Sequence, residues 1–336
     1  MPDGLGRFLI VGCGSIGKRH LCNLQRLGVT DIVVFDERED RRREAAERWN
    51  VATVDNIESG LEGSGIALIC TPTHLHAGAA LSAARAGCHL FIEKPLAHRL
   101  EDIDLLLEEI TCRRLHTLVG CNFRFHPAMR ELKRLMTEGI AGRPVSARAQ
   151  FGQYLPDWHP WEDYRQGYSA RREMGGGVVL DRVHELDYMR WLMGSVTEVC
   201  ALTGRLSSLE IDSEDTAEIL LYFQSGAIGS VHVDYVRRNP ECRLEIIGEE
   251  GTLEWSYRNH SASWYVGRDR VRHHIEWPNY DPNDMYLDQM RHFLAVLEGR
   301  ERAAHDVCDA RNVLEIALAA KQSSAGRMFV ALEPHA

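Results

Sequence analysis

Short, unbroken apolar runs alternate with amphipathic stretches through the first third of the chain. The runs at 8–11, 32–35, 67–70, 90–92 and 117–120 read as buried strands, and the stretches at 40–49, 78–86 and 100–113 as helices. Strands that are apolar throughout, joined by helices, predict a parallel, doubly wound sheet that receives ligands at the carboxyl ends of its strands. The rhythm changes near Asn122. A helix is expected over 127–137, closed by Gly139 and Gly142, then a strand over 144–154. The stretch 155–177 is rich in aromatic residues, Arg, Gly and Pro, and reads as a long loop; a helix over 178–193 follows, stopped by Gly194. Apolar and polar positions then alternate at 218–223, 228–235, 243–247, 252–256 and 263–266, with hairpin turns at 224–226 and 249–251. The segments 285–297 and 309–323 return to helix. The expected fold class is α/β: a doubly wound parallel sheet over 1–122, then an α/β domain with a largely antiparallel sheet over 123–336.

The first strand runs directly into Gly12-Cys13-Gly14-Ser15-Ile16-Gly17, and a helix follows. Gly12 permits a tight turn, Gly14 lets the backbone approach a pyrophosphate, and Gly17 lets the helix pack close to the sheet. The N–H groups at the start of that helix offer partial positive charge to phosphates. The second strand ends at Asp36, where a carboxylate can accept hydrogen bonds from an adenosine ribose. Strand, glycine loop, helix and acid together define a dinucleotide site. Asp36 would repel the additional phosphate of NADP, so NAD is the expected cofactor and NADP the less favoured one. The neighbouring Arg38, Arg41, Arg42 and Arg43 read as a solvated helix face rather than a phosphate clamp.

Charge and composition narrow the partners. The 336 residues carry a net charge of -10, which argues against nucleic acid as a partner. No apolar run approaches the ~20 residues of a membrane span. The segment 1–7 is polar and 8–11 is too short for the core of a signal peptide. Nine cysteines stand singly, without a Cys-x-x-Cys pair, so reduced thiols in a cytoplasm are expected, and no metal site.

Three further clusters fall at strand ends: Thr71-Pro72-Thr73-His74-Leu75-His76, then Glu93-Lys94-Pro95, and Asn122-Phe123-Arg124. Polar residues crowded on the edge that also carries the glycine loop are poorly explained by packing alone. A fourth cluster opens the helix after Gly175-Gly176-Gly177, where Asp181, His184 and Asp187 follow at intervals of three. On one continuous helix that spacing sets a carboxylate on either side of His184. A carboxylate beside an imidazole fixes its tautomer and raises its basicity, as a general acid or base requires. The competing reading is a core histidine with an ordinary hydrogen-bond partner.

These clusters, in this order, resemble the Gfo/Idh/MocA family, named for glucose–fructose oxidoreductase, inositol dehydrogenase and a rhizopine-catabolism protein. The resemblance spans essentially the whole chain, and its most specific parts are Glu93-Lys94-Pro95 and the glycine-led helix with His184. It implies an N-terminal Rossmann domain and a C-terminal domain with an open, mainly antiparallel sheet that serves substrate binding and oligomer formation, in a homodimer or homotetramer. It implies nucleotide contacts from Gly12, Gly14, Ser15, Ile16, Gly17, Asp36, Thr71, Pro72, His76, Glu93, Lys94 and Asn122. It further implies that Lys94 and His184 face the substrate. One spacing departs from the family pattern, which has three residues between the helix aspartate and the histidine; only Arg182 and Val183 separate Asp181 from His184. The aspartate's role passes to Asp181, the favoured choice, to Asp187 or to neither.

The expected activity is NAD(H)-dependent hydride transfer at a secondary alcohol carbon of a sugar, amino sugar or nucleotide sugar, with Lys94 and His184 at the reacting oxygen. Two alternatives stand beside it: NAD-using glycoside cleavage or epimer chemistry without net redox change, and a non-enzymatic NAD-binding regulator. Arg124, Tyr154, Trp158, Trp161, Arg165 and Arg171 are the candidate substrate contacts, because aromatic faces stack on sugar rings and arginine forks hold anionic groups. The long loop also contains His159 and reads alternatively as a small core of its own.

Overall fold

In the computed structural model, which describes residues 6–158 and 160–333, the chain forms two compact units. Residues 1–122 and 283–311 make the first, and 123–282 with 312–336 the second.

The first unit runs β1 (Arg7–Val11), α1 (Ser15–Arg26), β2 (Ile32–Phe35), α2 (Glu39–Trp49), β3 (Ala52–Val54), α3 (Ile57–Leu61), β4 (Ser64–Ile69), α4 (His76–Arg85), β5 (His89–Ile92), α5 (Glu101–Arg113) and β6 (Thr117–Val119). Its strands lie in the order β3-β2-β1-β4-β5-β6, all parallel. This is the doubly wound sheet that the apolar runs predict. The order reverses between β1 and β4, and such a switch point opens a crevice beyond the strand ends. The register pairs Val11 with Phe35 and Ile69, Ile69 with Ile92, and Ile92 with Val119. Gly12, Asp36, Cys70, Glu93 and Gly120 therefore emerge along one edge.

The helix at Asp284–Leu297 corrects the expected division of the chain. The sequence reading placed everything after 122 in a second domain, but this segment packs in the first unit. Its apolar face explains why: Met290, Phe293, Leu294 and Leu297 join the core of Phe8, Ile10, Leu21, Leu24, Val34, Leu68 and Phe91. The Phe91 and Phe293 rings meet edge to face at 5.6 Å.

The second unit begins with α6 (Pro127–Thr137) and β7 (Pro144–Gly152), then α7 (Val178–Asp181) and α8 (Val183–Met193). The strands β8 (Val196–Gly204), β9 (Thr216–Phe223), β10 (Ile228–Asp234), β11 (Glu241–Gly248), β12 (Gly251–Ser256), β13 (Ser261–Val266) and β14 (Val271–Glu276) follow. With α9 assigned to Asp284–Leu297, α10 (Val307–Gly326) and β15 (Val330–Ala331) close the described chain. The strand order is β14-β13-β12-β11-β7-β10-β9-β8-β15, and only the β7–β10 pairing is parallel. The turns at 224–226 and 249–251 join antiparallel neighbours, as expected.

Helix α8 lies close over this sheet. A Cβ on Gly229 of β10 would come 2.7 Å from the Met189 methyl carbon, so a larger residue there would have to displace that side chain. The opposite face leaves Leu202, Leu220, Tyr222 and Ile228 exposed. Among the described residues, no helix is long and apolar enough to cross a membrane.

Candidate functional site

The glycine loop has the geometry its sequence demands. Gly12 adopts φ +94°, and a Cβ there would lie 2.8 Å from the Cys70 carbonyl group. A Cβ on Gly17 would lie 2.0 Å from the Gly12 carbonyl oxygen. A Cβ on Gly14 would meet nothing closer than the Arg41 guanidinium, at 3.6 Å. Two glycines are thus required by packing, while Gly14 faces open space at the start of α1. No side chain caps that helix end, and no acid occupies its first turn, so its N–H groups and partial charge remain available to an anion.

Asp36 sits beside this loop, where its Oδ2 accepts from the Cys13 amide at 2.7 Å and its Oδ1 from the Arg38 amide at 3.0 Å. Burial, with the Asp36 charge second, pushes the Cys13 thiol up to about 11, so it stays protonated at neutral pH. The four arginines are already engaged. Arg38 pairs with Asp40, Arg43 lies near Glu39, Arg42 donates to the Asp36 carbonyl, and Arg41 reaches Asp36 at 3.4 Å. At the end of β4, the Thr71 hydroxyl oxygen is buried with no hydrogen-bond partner among the described residues. An open helix terminus, a carboxylate at the ribose position and this orphaned hydroxyl fit a nicotinamide dinucleotide.

His76 and Glu93 have duties inside the protein. The His76 ring lies between the Pro95 and Thr71 carbonyls, 2.8 Å from each, and so clips the turn after β4 to the turn after β5. Burial lowers its pKa. Glu93 is buried, with Oε1 2.7 Å from the His20 ring and Oε2 accepting from the Lys94 amide at 3.1 Å. Lys94 follows directly, joined to Pro95 by a cis peptide bond. His20, on α1, was absent from the sequence reading; its signal was a polar residue on the buried face of an otherwise amphipathic helix.

In the second unit the expected continuous helix is broken. Arg182 lies at φ -99°, ψ 38° between α7 and α8, so the ideal-helix relation of Asp181 and Asp187 to His184 does not hold. Burial explains the break: Arg182 turns its guanidinium over the Phe151 ring, 3.3 Å from the centroid, and pairs with buried Glu185 at 3.0 Å. The two acids then have different surroundings. Asp181 accepts hydroxyl hydrogen bonds from Tyr168 (2.6 Å), Ser169 (2.8 Å) and Tyr235 (3.0 Å). Asp187 forms a buried ion pair with Arg124, with Nη2 to Oδ1 at 2.6 Å and Nε 3.1 Å from both oxygens. Arg124, read from the sequence as a substrate contact, thus has its guanidinium held by Asp187. The His184 ring packs on Phe123 at 4.8 Å.

The long loop divides between packing and exposure. Trp158 meets Phe151 at 6.0 Å and Tyr235 at 5.4 Å, as in the small-core reading. Arg165 pairs with Asp163 and Glu210, Tyr154 lies under the Arg238 guanidinium, Arg171 is exposed, and Trp161 is 74% exposed. His159 lies outside the described residues.

An aromatic cluster beside α6 was also unanticipated. His126 accepts from the Ala128 amide at Nδ1, which leaves its Nε2–H to donate to His260 Nδ1 at 3.2 Å. Trp255, Tyr257 and Tyr280 surround the pair. Burial depresses the His126 pKa from 6.5 to about 3, helped by His260. A second proton would also break the cap on α6. The unfolded chain therefore binds this proton first, and stability held above 6.5 is lost as pH falls toward 3. Near pH 4.5 this group is expected to cost the native state about 2–3 kcal/mol. His126→Asn, which keeps a capping side chain, should flatten the acid limb of melting temperature against pH. An unchanged limb would show that other groups set acid stability.

A parallel sheet with this glycine loop and an acid at the end of its second strand defines a dinucleotide-binding unit of the Rossmann class. Models of the Gfo/Idh/MocA group match both parts of it. The "Oxidoreductase family, NAD-binding Rossmann fold" matches residues 6–122, and the "GFO/IDH/MocA C-terminal domain" matches 129–254. The chain belongs to the Gfo/Idh/MocA oxidoreductase family. It is 30% identical to 1,5-anhydro-D-fructose reductase of Ensifer adhaerens, over 88% of this chain and 89% of that one. It is 29% identical to myo-inositol 2-dehydrogenase of Thermotoga maritima, over 97% and 98%. The fold matches that of levoglucosan dehydrogenase in complex with NADH, with a TM-score of 0.88, 23% identity and coverage of 98% and 99%. Family and enzyme class thus agree with the resemblance drawn from the motifs.

Proposed function

We propose that the chain transfers hydride between NAD and a secondary alcohol carbon of a sugar or sugar-like polyol. The observation that carries this reading is the shared edge of the first sheet, where the glycine loop, Asp36 and Lys94 follow the ends of β1, β2 and β5. Relatives named as acting on inositol and on 1,5-anhydrofructose support a polyhydroxylated substrate. Gly12, Gly14 and Gly17 shape the pyrophosphate cradle, Asp36 receives the adenosine ribose, and the buried Thr71 hydroxyl borders the same edge. Bound there, NAD supplies the hydride acceptor.

The protein's own part is proton handling and orientation. In the oxidation direction His184 removes the hydroxyl proton. Lys94 donates a hydrogen bond to the same oxygen and stabilises the alkoxide as it develops. The Phe123 ring packs against His184 at 4.8 Å and helps orient it. The Arg124–Asp187 pair secures α8 to the residues just after Asn122, and the three hydroxyls on Asp181 secure the turn before it.

The test is an NAD-coupled assay over cyclitols, anhydro sugars, aldoses and nucleotide sugars, with substrate-dependent appearance of NADH as the readout. Absence of any net reduction across the panel, together with a product of unchanged oxidation state, would favour NAD-assisted epimer or glycoside chemistry. The same assay addresses the cofactor. Wild-type protein should favour NAD over NADP, and Asp36→Ala should narrow that preference by ~10-fold or more, about the contribution of one charge-assisted hydrogen bond. Preference for NADP in the wild type would make an arginine such as Arg41 the true reader.

A further inference from the structure

The His20 side chain is fully buried in the first unit, one turn beyond Gly17 on α1. Its Nε2 lies 2.7 Å from Glu93 Oε1, and its Nδ1 has no hydrogen-bond partner among the described residues. A proton on Nδ1 would be a buried donor without an acceptor, which is costly. The geometry therefore favours the Nε2–H tautomer, donating to Glu93. The other Glu93 oxygen accepts from the Lys94 amide at 3.1 Å. A third wall closes the site: a Cβ on Gly120, at the end of β6, would lie 2.9–3.0 Å from the Glu93 carboxylate. The Phe91 ring meets His20 at 4.8 Å on a further side. The carboxylate thus has a ring N–H donor at one oxygen and a backbone donor at the other, in a tightly walled site.

We propose that His20 is a positioning residue for Lys94, acting through Glu93. Helix α1 starts at the glycine loop, and Lys94 stands two residues past the end of β5; the His20–Glu93–Lys94 amide relay joins these two elements beneath the edge that receives the dinucleotide. Without the His20 donor, one Glu93 oxygen is left buried and unmatched. The Glu93 carboxylate then loses one of its two anchors, and its hold on the Lys94 amide loosens. The relay sets where the Lys94 backbone stands, and so where its ammonium group can reach. This inference rests on the proposed role of Lys94.

The test compares full-length wild type with His20→Phe, His20→Gln, Glu93→Gln and Lys94→Met. Amide hydrogen exchange is read on the peptide spanning 93–97, NADH affinity by fluorescence titration, and kcat and KM with whichever polyol the panel identifies. In His20→Phe, exchange at the Lys94 amide should quicken at least ~10-fold. Its kcat should fall roughly 10- to 100-fold, the size expected for a displacement of about 1 Å at a reacting group, with KM and NADH affinity within a few-fold of wild type. His20→Gln restores an N–H donor and should recover most of both losses. Glu93→Gln has one acceptor oxygen where two are needed, and should quicken exchange with His20 intact. Should His20→Phe fail to fold, His20→Gln and Glu93→Gln carry the comparison. Unchanged exchange in His20→Phe or in Glu93→Gln, or equal losses in the Phe and Gln variants at His20, would overturn the relay. Full activity in Lys94→Met would overturn the role of Lys94 instead, and the exchange data would still report on the relay.

Discussion

Lys94→Met is expected to lose turnover by ~10²–10⁴-fold while binding NADH nearly as well as wild type. The range is that of removing a positioned proton donor or a hydrogen bond aimed at developing negative charge. Methionine matches the four-atom apolar stem of lysine without its ammonium group, and the relay to His20 uses backbone and carboxylate atoms that the substitution leaves in place. NADH binding should persist because the glycine loop and Asp36 follow β1 and β2, whereas Lys94 follows β5. Steady-state kinetics with a fluorescence titration of NADH would separate the two quantities. Near-wild-type kcat would remove Lys94 from the mechanism; a parallel loss of NADH affinity would make it a binding residue.

The largest effect on stability is expected at the Arg124–Asp187 pair. Both side chains are almost completely buried, at 3% and 1% exposure. Asp187→Ala leaves a buried guanidinium without its carboxylate, and breaking such a pair from one side typically costs about 3–5 kcal/mol. The double replacement Arg124→Met, Asp187→Leu removes both charges and should recover most of that loss. Urea unfolding followed by the tryptophan signal would measure the series. Asp181→Asn should be milder, because an amide oxygen can still accept from two of the hydroxyls of Tyr168, Ser169 and Tyr235. A loss under about 1 kcal/mol in Asp187→Ala would show that water or a neighbour compensates the arginine. A deeper loss of kcat than of stability would return Asp187 to the chemistry.

Local signals made the nucleotide half legible. The apolar runs, glycine loop and Asp36 each state their meaning within a few residues, so the parallel sheet and its edge could be placed before any contact was known. What escaped was set by partners distant in sequence. The single helix expected over 178–193 breaks at Arg182 because its guanidinium is drawn onto Phe151, on another element. The acids near His184 looked equivalent on an ideal helix; Arg124 and the three hydroxyls distinguish them. Strand β14 was missed because all six of its residues are exposed, so no alternation of apolar and polar positions marks it. The helix at Asp284–Leu297 was recognised as a helix but placed in the wrong unit, since an apolar stripe does not say which core it completes.

That helix has a bearing on how the protein is made. Met290, Phe293, Leu294 and Leu297 complete the core begun by Phe8, Ile10 and Leu21. The dinucleotide-binding unit is therefore first to leave the ribosome and among the last to be finished. Its sheet must wait, with part of one face uncovered, while the intervening 123–282 is synthesised. A nascent chain arrested before residue 283 would expose that face to chaperones, and a fragment cut after Asn122 would be a poor stand-in for the nucleotide-binding unit: it would carry the glycine loop and Asp36 but lack part of the wall behind them.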